Sequence, residues 1–136
     1  MTAKTLKTVA VDKSQYLNYM KKAEEFYKAM LYAEKSEYWN AVGLNAVHCA
    51  ISISDALLVR FSGTRSISSD HMVVVDILKQ NLNIKDIANK TKALQRILAK
   101  KSLIEYDSIT FSKNDAMEIS RQAERFYLWA REELLR

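Results

Sequence analysis

The chain has 136 residues, a formal charge of +5, 49% hydrophobic and 27% charged residues, two glycines and no proline. That length suits a single domain with its own core, and the shortage of turn residues excludes sandwiches and barrels of many short strands. One cysteine, Cys49, precludes an internal disulfide, so a reducing, cytoplasmic setting is the default expectation. With two histidines beside it, a soft-metal site is not expected, and no cofactor is implied.

The first twelve residues lack the apolar run of a secretory signal and read as a flexible tail, with one domain over 13–136. A first helix is expected from about Ser14 to Lys35, with Asp12 and Gln15 spaced for a capping box. Tyr16, Met20, Ala23, Tyr27 and Met30 recur at helical spacing and mark its buried face. A second helix, about Tyr38 to Phe61, is apolar on most sides, as expected of the central member of a bundle. Its polar interruptions argue against a bilayer span, so no membrane association is expected. Gly43, Ala46, Ala50 and Ser54 set small side chains in a line along it, where another helix can approach. That line and the all-round apolarity predict a symmetric homodimer. Gly63 is placed to end the helix in the left-handed region.

A polar loop then leads to a short helix from Asp70 to about Gln80, capped by Ser68 or Ser69. The Val73–Val75 run favours strand by propensity, but a lone strand has nothing to pair with, so helix is retained. Asn83 opens a fourth helix to about Ser102, with Ile84, Ile87, Leu94, Ile97 and Leu98 opposite Lys85, Asn89, Lys92, Arg96 and Lys100. An extended connection follows, from Tyr106 to Phe111. Ser112 and Asp115 form the capping box of a last helix running to about Leu135. The fold class expected is all-α, an antiparallel up-and-down four-helix bundle with an additional short helix.

Three groups of residues could carry chemistry. Arg65 and His71 flank a loop-to-helix junction, and a cation with a proton-transfer group is what phosphoryl chemistry on RNA needs. Structural roles, with Asp70 capping and Arg65 pairing to it, explain the same residues. Asn45, His48, Ser52 and Asp55 share one face of the second helix, a pattern that suits a buried polar network better than an active site. The window from Lys79 to Lys101 carries +6, so the remainder of the chain sums to −1. Lys85, Lys92, Arg96, Lys100 and Lys101 within it make a candidate nucleic-acid or nucleotide surface, against the alternative of a merely solvated face.

Four segments together carry a family resemblance. They are Ala46-Val-His-Cys-Ala-Ile51 with Asp55-Ala-Leu, Gly63-Thr-Arg65-Ser with Asp70-His71, Lys101-Ser-Leu-Ile-Glu105-Tyr106-Asp107, and Ala123-Glu-Arg-Phe126. In order and spacing they resemble the HEPN family across about Tyr16 to Leu135. The resemblance implies a helical bundle that dimerises. It also implies either a metal-independent ribonuclease of toxin–antitoxin or defence systems, or a nucleotide-binding or interaction module partnered by an antitoxin or a nucleotidyltransferase. Many members use an Arg-x4–6-His motif, a spacing that Arg65 and His71 match ahead of the third helix. His71 would then be the acid/base and Arg65 the phosphate clamp.

Overall fold

The computed structural model describes residues 7–106 and 110–136, and the chain is mostly helical. In order come β1 (Thr8–Ala10), α1 (Tyr16–Lys35), α2 (Trp39–Ser62), β2 (Thr64–Ser66), α3 (Val73–Asn81), α4 (Ile87–Ala99), α5 (Lys101–Tyr106) and α6 (Lys113–Leu134). α2 is the hub. It packs against α1 and α6 and is also touched by α3, α4 and α5. Val42, Val47, Ile53, Leu57 and Leu58 on α2 are fully buried, together with Cys49. Burial pushes the Cys49 thiol up to about 12. Among the described residues, α2 is the one helix long and apolar enough to cross a membrane by composition, but its surface is mostly buried by the rest of the chain.

The small-residue line along α2 faces inward. Ala46, Ala50 and Ser54 are fully buried, and a Cβ at Gly43 would lie 2.8 Å from Cε2 of Phe111 and 3.0 Å from Cδ1 of Ile104. The close approach it permits is therefore made by this chain's own α5 and the residue leading into α6. Gly63 ends α2 in the left-handed region at φ 63°, as its sequence position predicts.

The small sheet departs from the purely helical expectation. β1 and β2 pair antiparallel, with Thr8 opposite Ser66, Val9 opposite Arg65 and Ala10 opposite Thr64. Val11 N–H also donates to the Gly63 carbonyl at 2.8 Å. Thus residues read from sequence as tail are tied to the stretch that carries Arg65. Asp12 does cap, its side chain accepting from the Ser14 N–H at 2.9 Å. Gln15 takes no part, because its amide oxygen accepts from Asn18 instead.

The other helix ends move for local reasons. α3 begins at Val73 rather than at Asp70, because a turn precedes it: Asp70 Oδ1 accepts from the Met72 N–H and Ser68 Oγ from the Asp70 N–H. The Val73–Val75 run is helical, with Val74 and Val75 buried. α4 starts three residues beyond Ile84, after Asp86 in the left-handed region at φ 68°. The predicted fourth helix also divides: α4 ends at Ala99 and α5 starts at Lys101. Of the extended connection, residues 107–109 lie outside the described residues. The Ser112–Asp115 capping box is present as predicted, with Asp115 N–H to Ser112 Oγ at 3.1 Å and Ser112 N–H to Asp115 Oδ2 at 3.3 Å.

Candidate functional site

The polar face of α2 runs from Asn45 to Asp55, and the rise of a helix puts His48 and Asp55 about 10 Å apart. The four residues do not form a chain of hydrogen bonds. Asn45 turns back on its own helix, its Nδ2 donating to the Ala41 carbonyl at 2.8 Å. Ser52 and Asp55 are each 9% exposed. Burial pushes the Asp55 carboxyl up to about 6, while Arg65 and Lys22 pull the other way. Neither cation is in ion-pair contact with Asp55. The Arg65 guanidinium lies over the Tyr19 ring, 5.7 Å from its centroid, and the residue is exposed.

The opposite end of the same face carries His48. The His48 ring stacks on Phe26 of α1, with centroids 5.3 Å apart and planes at 28°. Its Nε2 is 3.9 Å from Glu105 Oε1, too long for a hydrogen bond but an ion pair whenever the ring is protonated. Glu105 Oε2 also takes the Lys101 ammonium at 2.9 Å, one turn earlier on α5. His71, in the turn before α3, is half-buried. Its pKa is lowered, first by burial, then by Lys101 and His48, with Glu105 and Asp70 opposing. An imidazole, an ammonium and a carboxylate from α2 and α5 therefore meet, and His71 lies within the reach of their charge.

Arg65 and His71 thus differ in their surroundings. Arg65 lies over Tyr19 and lowers the pKa of Asp55, whereas His71 is influenced by Lys101 and His48. β1 explains the first placement, because pairing with Val9 fixes the backbone of Arg65. Glu105 and Phe26 were not singled out from sequence. Glu105 had a signal, the i,i+4 spacing from Lys101 that suits an ion pair on a helix. Phe26 had none, since its contact with His48 depends on how α1 lies across α2.

Lys85, Lys92, Arg96 and Lys100 are all exposed, and none of the four is ion-paired among the described residues. Lys101 differs, being half-buried and turned toward Glu105. Lys92 and Arg96 border a depression that Met72, the residue after His71, also lines. On its other side, Arg96 and Lys100 rim a cavity of about 290 Å³ floored by Leu103, Phe111 and Ile119. Among the described residues no cluster of three or more histidine, cysteine or acidic side chains could hold a metal ion. No protein-family model and no curated protein matches the chain.

Proposed function

We propose that the chain is a HEPN-like domain that binds RNA, or a nucleotide as its fragment, and cleaves RNA without a metal ion. In this reading α1, α2, α4 and α6 are the antiparallel up-and-down bundle and α3 is the additional short helix. His71 is the acid/base, Arg65 clamps a phosphate further along the strand, and Lys92 and Arg96 on α4, with Lys85 ahead of that helix and Lys100 at its end, draw the polyanion in. The observation that supports it is the depression that Met72, the residue after His71, lines together with the exposed cations Lys92 and Arg96. A proton-transfer group and a cation beside it are the minimum that metal-free phosphoryl transfer requires. The domain works as a homodimer, as the resemblance implies, and in the reducing cytoplasm that its single cysteine suits.

A second reading is a non-catalytic module that docks on an antitoxin or a nucleotidyltransferase. Leu128 on α6 and Leu135 just past its end favour it, because they stand 46% and 65% exposed. The deciding experiment is incubation of purified protein with RNA in EDTA. Cleavage that is lost in His71→Ala, with the circular dichroism spectrum unchanged, supports the ribonuclease. Binding and cleavage both absent at low salt support the docking module.

A further inference from the structure

We propose that the cavity between α4, α5 and α6 binds a free α-amino acid with a large apolar side chain. Its carboxylate would sit on Arg96 and Lys100, its ammonium on Asp115 and Glu118, and its side chain on the floor beneath them. The proposal goes beyond the ribonuclease reading and does not depend on it. A volume of about 290 Å³ lies at the low end of what small-molecule sites occupy, and an apolar floor with a few polar groups is what such sites present.

The charges set the class of ligand. Arg96 and Lys100 stand one turn apart where α4 ends, and both line the cavity. Asp115 and Glu118 stand one turn apart near the start of α6 and line it from the other wall. All four are exposed, and among the described residues no ion pair joins the cations of one wall to the carboxylates of the other. Asp115 accepts from the Ser112 N–H through Oδ2 at 3.3 Å, which leaves Oδ1 for a ligand. A plain anion such as a phosphate would meet two carboxylates as well as two cations, whereas a ligand with one charge of each sign complements both walls. The floor is fixed beforehand. The Phe111 N–H donates to Asn40 Oδ1 at 2.8 Å, and its ring packs so close to Gly43 that a Cβ there would lie 2.8 Å from Cε2. Phe111 and Ile119 are buried, so an incoming side chain covers them without ordering them, and it takes out of water the apolar surface that the cavity leaves open.

The test titrates isotope-labelled whole protein with three probes that share one ring, read by amide chemical shifts. They are L-phenylalanine, hydrocinnamate, which lacks the ammonium, and phenethylamine, which lacks the carboxylate. L-Phenylalanine is expected to give saturable shifts at Arg96, Leu103 and Ile119, and each truncated probe to bind about fivefold more weakly, the upper end for an exposed ion pair. Arg96→Gln should weaken L-phenylalanine and hydrocinnamate by about that factor and leave phenethylamine unchanged. Glu118→Gln should weaken L-phenylalanine and phenethylamine and leave hydrocinnamate unchanged. Both positions are exposed, so the fold should survive, and an unchanged circular dichroism spectrum checks it. Ala99→Trp, on the exposed rim, should abolish binding of all three by filling the cavity. No saturable shift at these amides with L-phenylalanine up to about 10 mM overturns the proposal. So does hydrocinnamate binding as tightly as L-phenylalanine with Glu118→Gln indifferent to both, the mark of a simple anion site. Neither result bears on RNA cleavage, which is read separately in EDTA.

Discussion

Asp55 makes the sharpest prediction about stability. It is a carboxylate held at 9% exposure on α2, and burial lifts its pKa from 3.8 to about 6 against the pull of Arg65 and Lys22. Each unit of such a shift corresponds to about 1.4 kcal/mol, so the ionised group costs the folded state about 3 kcal/mol. The sign follows from proton counting. Between the two pKa values the folded chain holds one proton more than the unfolded chain, so stability falls as pH rises from about 4 to about 6 and then levels off. Asp55→Asn removes the charge and keeps the shape. Its expected gain is near zero at pH 4 and about 3 kcal/mol at pH 7 and above. Urea denaturation of both proteins at each pH unit from 4 to 8, with m held common, reads this as a difference curve in which other titrating groups cancel. A flat difference curve, or a variant less stable than wild type at pH 8, would refute the argument.

The two glycines should fail for different reasons. Gly63→Ala costs about 1–2 kcal/mol through its left-handed backbone alone, since the nearest atoms to an added Cβ are 3.6 Å away, whereas Gly43→Val costs about 1–3 kcal/mol by displacing Phe111. Thermal denaturation ranks both, and restoring Gly43→Val with the smaller Phe111→Leu would separate crowding from backbone effects. Ser112→Ala breaks the capping box of α6 and should cost about 1 kcal/mol in the same assay. Reversing Lys92 and Arg96 together to glutamate should weaken RNA binding and flatten its salt dependence by roughly 0.7 in log–log slope per lost phosphate contact. Its stability should change by less than ~1 kcal/mol because the charges are exposed; fluorescence anisotropy at several salt concentrations measures the former and an unchanged slope counts against the surface.

The parts of the fold that could be read from the residues are those that local chemistry decides. The periodicity of α1, α2 and α6, the stop at Gly63 and the Ser112–Asp115 box each depend on residues within a few positions of one another. β1 and β2 could not be read this way, because Thr8–Ala10 and Thr64–Ser66 are short, unremarkable segments that find each other only when α1 and α2 have folded back between them. The division of α4 from α5 has no glycine or proline to announce it. At the site, the shared face of His48, Ser52 and Asp55 was legible from helical spacing. The contact of His48 with Glu105 and the lie of Arg65 over Tyr19 were not, since they depend on where α5 and the segment after Gly63 cross α2. Glu105 was within reach through its spacing from Lys101.

Cys49 makes this chain its own reporter of opening. The thiol has no exposed surface, lies on α2, against which the other helices pack, and is held far from its thiolate form. A disulfide reagent at pH 8 can therefore reach it only in molecules whose α2 has come away from its neighbours. When reclosing outruns reaction, the labelling rate falls about tenfold for every 1.4 kcal/mol of opening free energy. A mostly helical core with one such sulfur lets that free energy be followed in undenatured protein, in the presence or absence of RNA, without adding a probe or changing a residue. Ligands that tighten the core should lengthen the reaction half-time, and those that touch only the outer face of α4 should not.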